Sequence, residues 1–461
     1  MYYLLDSTTP EHELSKEEYF NTALYARVNS AFDNFTDILI EYKLINLFLK
    51  SFIMAYGGRI VASGKYYFSK WFNKFLKATF GKFLTLRFNV KYNTEKIQHL
   101  EPPYLIIGNH VGAWDPFLMS LGISEPVYFV ISDAHFRHFW LKQVLKLVGG
   151  IPKSKHLADS GTIRAILSIK KNNGVIGLYP EGARNWDLKN VPVFYATAKL
   201  AKLLNIPVVN TLMEGAGLTR PRWARSSRTG IINMNYSILF KPGDIEKMSV
   251  DEIYQGIING IHFNEYEWQD RNMIRFRGKN LAEFLDMFLV VCPRCKALCS
   301  MYSHKNTLTC VKCGYSVNYT EYGYLDGNDE PYFNNPQTWS DWQSSYLSSL
   351  FSQTEYTSGG KALFSDTDAM LFTGKRRSPL RQYKSRGKVE LFHDRFVFTP
   401  KKGSIYTFPL HKLSGMNVQN NNKYEFYYED ILYRFRFTTQ HKSIYKYELA
   451  VQIIKESYIA Q

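Results

Sequence analysis

His110 and Asp115 are the two residues whose types and spacing most clearly point to chemistry. They lie in the stretch Gly108-Asn109-His110-Val111-Gly112-Ala113-Trp114-Asp115-Pro116. Histidine is the usual side chain for taking a proton from an attacking hydroxyl, because its ordinary pKa lies near neutrality. A carboxylate on its other ring nitrogen fixes the tautomer and stabilises the imidazolium that forms. Residues five apart on a helix point about 140° away from one another, so this pair can meet only across a turn. The sequence predicts one. Residues 104–107 read as a buried strand, Gly108 and Gly112 loosen the backbone, and Asp115-Pro116 suits a helix start. No Gly-x-Ser-x-Gly elbow occurs and Ser120 falls on the following helix, so a substrate hydroxyl would itself be the attacking group.

Three further blocks follow. Gly149-Gly150-Ile151-Pro152-Lys153-Ser154-Lys155 is a short basic segment, and Leu178-Tyr179-Pro180-Glu181-Gly182-Ala183-Arg184-Asn185 caps the apolar strand at 175–178. Open α/β sheets place their ligands at such strand ends. Asn205-Ile206-Pro207-Val208-Val209 is another apolar strand, after a helical stretch at 197–204. Taken singly, these blocks also fit a solvated basic loop, a surface ion pair of Glu181 with Arg184, and a core strand.

Their order and spacing, over about residues 85–245, resemble the glycerophospholipid acyltransferase family, best known for the lysophosphatidic acid acyltransferases. The resemblance implies transfer of an acyl chain from acyl-CoA or an acylated acyl carrier protein to the hydroxyl of a lysophospholipid. It casts His110 as base and Asp115 as its orienting partner. Lys153, Lys155 and Arg184 would hold the acceptor phosphate, while Glu181 and Gly182 shape the site. Two positions depart from the family pattern: Lys155 replaces its arginine and Ser154 its aspartate. Lysine neutralises a phosphate without gripping it through two bonds. Ala183 also stands in place of threonine. A non-catalytic lipid- or nucleic-acid-binding protein on a degenerate acyltransferase core is the alternative, and transfer between phospholipids without a thioester is a third reading.

The chain of 461 residues carries a formal charge of +16 and 16% aromatic residues. A polyanionic partner is expected: a membrane surface with anionic lipids or an acidic carrier protein, rather than nucleic acid. Neither a transmembrane span nor a secretory signal is read in the sequence; the apolar stretches near 38–55 and 281–291 are broken by charge or too short. The expected location is therefore cytoplasmic, peripheral on the membrane's cytoplasmic face. Phe68, Trp71, Phe72, Phe75, Leu76, Phe80 and Phe83 recur at helical spacing among Lys70, Lys74 and Lys77. That pattern predicts either an interfacial anchor or a helix packed on the core. Phe20, Leu24, Val28 and Phe32 suggest ordinary helix packing.

All five cysteines lie between 292 and 313. Cys292, Cys295, Cys310 and Cys313 form two Cys-x-x-Cys knuckles, which predict a structural zinc ribbon with four cysteine ligands rather than disulfides. Cys299 is left over as a buried thiol, and His304 is the less favoured substitute ligand. Residues 321–360 read as a polar linker holding a short helix through Trp339, Trp342 and Tyr346. Beyond them the period becomes two, with strands at 388–399, 404–409, 423–428 and 432–437 and a closing helix at 444–459. This resembles a pleckstrin-homology or GRAM-like domain, whose basic cluster Lys375, Arg376, Arg377, Arg381, Lys384, Arg386 and Lys388 would face anionic headgroups or solvent.

The expected architecture is thus an α/β acyltransferase core with a central mixed sheet flanked by helices, at 85–284. It follows N-terminal helices at 1–84 and precedes a zinc ribbon at 285–320, a linker at 321–360 and a β-rich domain at 361–461.

Overall fold

Seven strands build the sheet that carries the candidate site. In the computed structural model, which describes residues 68–459 apart from 69, 138, 155–158, 328–329, 358–359, 376–377 and 420, these are β1 (Val90–Asn93), β2 (Tyr104–Gly108), β3 (Val127–Ser132), β4 (Ile151–Lys153), β5 (Val175–Leu178), β6 (Val208–Glu214) and β7 (Ile232–Phe240). They lie in the order β1-β7-β6-β2-β5-β3-β4. β6, β2, β5, β3 and β4 run parallel, whereas β7 is antiparallel to β6. The mixed sheet flanked by helices is therefore present.

Strand β2 is apolar at consecutive positions because it is covered on both faces. Leu105 and Ile107 pack with the helices Ser160–Lys171, Tyr195–Leu204 and Val250–Ile261; Tyr104 and Ile106 pack with Lys82–Phe88 and Asp115–Leu121.

The aromatic helix buries some of its large side chains and exposes others. It runs from Lys70 to Leu76, through a π turn at Lys77–Gly81, and on through Lys82–Phe88. Phe68, Phe72, Leu84 and Phe88 are buried against the core, while Trp71, Phe83 and Leu86 are 62%, 46% and 73% exposed. A Cβ at Gly81 would strike a Leu121 methyl, so the bulged turn seats directly on the helix that begins at Asp115. Among the described residues no helix is long and apolar enough to cross a membrane.

Downstream, β8 (Met301–His304), β9 (Thr307–Cys310), β10 (Ser316–Tyr319) and β11 (Leu325–Asp326) form a small antiparallel sheet. The last seven strands are β12 (Phe364–Gly374), β13 (Arg381–Leu391), β14 (Arg395–Pro400), β15 (Tyr406–Pro409), β16 (Ser414–Gln419), β17 (Lys423–Tyr428) and β18 (Ile431–Phe437). All their pairings are antiparallel, in the order β15-β14-β13-β12-β18-β17-β16. The helix Tyr445–Ile459 closes them, setting Tyr447 and Ile454 among Phe364, Phe396 and Phe437.

Three expectations change. At 321–360 the expected helix is present and docked, whereas the linker reading changes: Pro336–Phe351 buries Trp339 completely, and Gln343 bonds Val290 N at 2.9 Å and Phe288 O at 3.0 Å. Polar composition misled there because Asn335, Gln337, Ser340 and Gln343 spend their polarity on buried partners. Strands β12 and β16 were not foreseen, since a bulge in each breaks the alternation. Cys299 is exposed rather than buried, in a left-handed turn with φ 52°. The predicted features at Phe20–Phe32 and 38–55, with Lys155, Arg376 and Arg377, lie outside the described residues.

Candidate active site

The C-terminal ends of β2, β5, β3 and β4 emerge side by side at one edge of the sheet, and every described candidate residue of the core lies at or just beyond one of them. Past β2 the chain makes the turn that the five-residue spacing required. His110 Nδ1 stands 2.8 Å from Asp115 Oδ2, and the same oxygen accepts from Val111 N at 2.8 Å and Gly112 N at 2.7 Å. The carboxylate is 2% exposed and the imidazole 20%. Gly112 is needed for space, because a Cβ there would lie 2.8 Å from Asp115 Oδ1. Asn109 anchors the turn from behind, exchanging hydrogen bonds with Met213 N and O at 2.8 and 2.9 Å.

Past β5, the Tyr179-to-Asn185 loop wraps the dyad. The Tyr179 ring stacks on His110 with centroids 4.3 Å apart and planes 19° apart. Its hydroxyl is buried without a partner, and burial raises its pKa well above the ordinary value. Glu181 staples three segments, accepting from His110 N at 2.9 Å, Val191 N at 2.9 Å and Asn190 Nδ2 at 3.1 Å. Burial pushes its carboxyl up to about 7, outweighing the donors that pull it down. Gly182 holds φ +63°, and a Cβ there would strike the Phe194 ring.

Arg184 is the cation of the site. Its guanidinium makes no hydrogen bond or ion pair among the described residues. Burial and the neighbouring Arg222 lower its pKa to about 10, whereas Asp115 pulls it the other way. A half-buried cation left without a counter-ion is a ready site for an anionic group. The other expected phosphate holders are placed differently. Lys153 Nζ turns back to Ser154 O at 2.8 Å, and the buried Ser154 hydroxyl donates to Asp133 Oδ2. Lys155 lies outside the described residues.

Sequence reasoning missed Asn109, Asn190, Trp186 and Arg222, which brace the segments that carry the site. For Asn109 the signal was its place beside His110. For Arg222 there was none, since its partners come from distant segments.

A family model described as Acyltransferase matches residues 89–214, which contain every one of these core candidates. This stretch of the chain is similar to the acyltransferase family. A 1-acyl-sn-glycerol-3-phosphate acyltransferase of Streptococcus pneumoniae is 24% identical over 176 residues, 37% of this chain and 62% of the relative. The match therefore spans less than two thirds of that relative's length. A solved structure, the 1-acyl-sn-glycerophosphate (LPA) acyltransferase PlsC from Thermotoga maritima, is similar over 51% of this chain and 99% of its own, at 18% identity and a TM-score of 0.37.

The cysteine knuckles form a second, separate centre. One ligand atom from each of Cys292, Cys295, Cys310 and Cys313 lies within 4.8 Å of the others. Cys292 and Cys313 Sγ are 3.6 Å apart, Cys295 and Cys310 Sγ 3.7 Å. A disulfide would bring sulfurs to about 2.0 Å. A tetrahedron of Zn–S bonds of about 2.3 Å has edges of about 3.8 Å, so the thiol set fits one metal ion.

Proposed function

We propose that this protein is a peripheral membrane acyltransferase that moves a fatty acyl group from acyl-CoA or acyl carrier protein to the hydroxyl of a lysophosphatidic acid or a related acceptor. The observation that carries the reading is the His110–Asp115 pair at 2.8 Å, set beside the unpaired Arg184 at the edge of a parallel sheet. With Nδ1 committed to Asp115, Nε2 is the nitrogen that takes the acceptor's proton as its oxygen attacks the thioester carbonyl. The new C–O bond forms, the C–S bond breaks, and the imidazolium returns the proton to the departing thiolate. Asp115 stabilises the transient imidazolium, and Arg184 gathers the acceptor phosphate, with the Lys153–Lys155 segment adding positive charge.

The bulged helix supports membrane contact. Trp71, Phe83 and Leu86 point outward among Lys70, Lys74 and Lys82, and Phe80 packs on Trp114 and Phe117 beside the dyad. An acceptor lifted from the bilayer would therefore arrive next to His110. The antiparallel C-terminal strands with their closing helix support the reading of this part as a pleckstrin-homology- or GRAM-like domain. The four cysteines would hold structural zinc, which supplies folding free energy to the ribbon when bound.

The test is transfer of labelled acyl chains from both donors onto lysophosphatidic acid and onto uncharged monoacylglycerol. Product with the charged acceptor, and a KM for it raised about tenfold or more by Arg184→Ala, is expected. No product from folded, zinc-loaded protein with any pair would overturn the reading in favour of a lipid-binding protein.

A further inference from the structure

The two cationic loops of the candidate site are each tied to the C-terminal domain, and each tie ends on a glutamate of that domain. The first starts on β17. Glu425, 1% exposed, accepts from Arg137 Nη1 at 2.9 and 3.1 Å, from Arg434 Nε at 2.6 Å and from Gln419 Nε2 at 2.9 Å. Arg137 belongs to the Asp133–Arg137 turn that follows β3, and its Nη2 lies 3.6 Å from Asp133 Oδ1. The other oxygen of Asp133 accepts from the Ser154 hydroxyl, beyond β4 and between Lys153 and Lys155. A continuous buried chain thus runs from Glu425 to the lysine-bearing loop.

The second tie starts on the closing helix. Glu448 Oε2 accepts from Trp186 Nε1 at 2.8 Å and lies 3.9 Å from Arg222 Nη2; its Oε1 accepts from Val418 N at 3.3 Å. Arg222 donates to Arg184 O at 2.5 Å and to Val418 O at 3.2 Å, and its guanidinium lies over the Trp186 ring at 4.3 Å. Asn421 Nδ2 closes the contact on Arg222 O at 2.7 Å. Arg222 is buried and repels Arg184, lowering its pKa, so the group that holds the backbone of the Arg184 loop also sets a second positive charge beside its side chain.

We propose that the C-terminal domain is part of the acceptor site, with Glu425 and Glu448 as positioning residues that set the two phosphate-holding loops against the His110–Asp115 pair. The proposal rests on the reading of this site as an acyltransferase acceptor site. Neither glutamate reaches the dyad. Each acts through an arginine, and the network is one in which every member fixes the next. A positioning role of this kind belongs to binding of a charged acceptor and not to proton transfer.

The experiment is steady-state kinetics on the full-length, zinc-loaded protein with lysophosphatidic acid, monoacylglycerol and the thioester donor each varied. It compares wild type with Glu448→Gln, and with Glu425→Gln as the second variant. Glu448 is half-buried, so its amide replacement preserves the fold even if loss of the buried Glu425 charge does not. The expected result is a KM for lysophosphatidic acid about tenfold higher, the scale of one charge-assisted hydrogen bond. The kcat, the donor KM and the monoacylglycerol KM stay within about threefold. Restoring the carboxylate at a shorter reach, as Glu448→Asp, recovers part of the KM. An unchanged lysophosphatidic acid KM in Glu448→Gln, or a fall in all parameters parallel to a lower melting temperature, would overturn the inference. In either case the functional reading would stand, because wild type still transfers. Wild type inactive with every acceptor would overturn that reading itself, and this inference with it.

Discussion

Two histidine–aspartate pairs among the described residues have nearly the same geometry. His110 Nδ1 and Asp115 Oδ2 are 2.8 Å apart, and His441 Nδ1 and Asp286 Oδ2 are 2.9 Å apart. The two carboxylates are 2% and 1% exposed and the two imidazoles 20% and 22%. Each ring stacks on an aromatic neighbour, Tyr179 at 4.3 Å and Phe284 at 4.8 Å. Their surroundings differ. His110 ends a parallel strand beside an unpaired arginine and a sheet edge. His441 sits between Phe284 and Tyr302, where the closing strand–helix connection meets the ribbon, and Asp286 also accepts from the Ser303 hydroxyl. A histidine held by a carboxylate is thus as good a joint as it is a base. The fold around the pair decides which it becomes.

Breaking each carboxylate separately should give the largest contrast. Asp115→Asn is expected to lower kcat by about 10³- to 10⁴-fold, since the amide holds the wrong tautomer of His110. Asp286→Asn should leave kcat within about twofold and lower stability by about 1–3 kcal/mol, measured by denaturant melts. Equal kinetic losses would abolish the distinction. Removal of the zinc proposed at the four cysteines should come next in size and strike only the His441 side. The loss is expected to exceed about 4 kcal/mol, with amide-exchange protection falling first at 285–320. An unchanged melting profile after verified demetallation would exclude a structural zinc.

The smallest effect sharpens the His110 side. Glu181, pushed up to about 7 by burial, has a higher pKa in the fold than in the unfolded chain, where it is about 4.3. The protonated acid is favoured on folding, so its stabilisation is complete below about pH 4 and is lost as pH rises through about 7. Wild type should lose on the order of 3–4 kcal/mol across that window that Glu181→Gln does not lose. Parallel pH profiles would show that Glu181 is not the titrating group.

What the sequence disclosed follows the same division. The dyad, the Glu181 loop and the cysteine knuckles were legible because each is a local device, closed within a few residues by a turn or a tight strand end. The buried strands β2 and β5 were legible because coverage on both faces leaves an unbroken apolar run. The joints were not. Arg137 meets Glu425 across 288 residues and Trp186 meets Glu448 across 262, and no periodicity in either segment records the partner. The same holds for the helix Pro336–Phe351, whose buried glutamines and serines look like a linker until their partners are in view. His441 gave no signal at all, since a lone histidine in a polar turn has no distinguishing spacing.

The account turns on His110 being a base and His441 a joint, and one paired measurement tests that directly. The kcat/KM for acyl transfer to lysophosphatidic acid should be measured for His110→Ala and His441→Ala, prepared and zinc-loaded alike. The account predicts a loss of at least about 10³-fold for His110→Ala at an unchanged melting temperature. For His441→Ala it predicts activity within about threefold of wild type and a lower melting temperature. Substantial activity surviving in His110→Ala, or equal losses in the two variants, would contradict it.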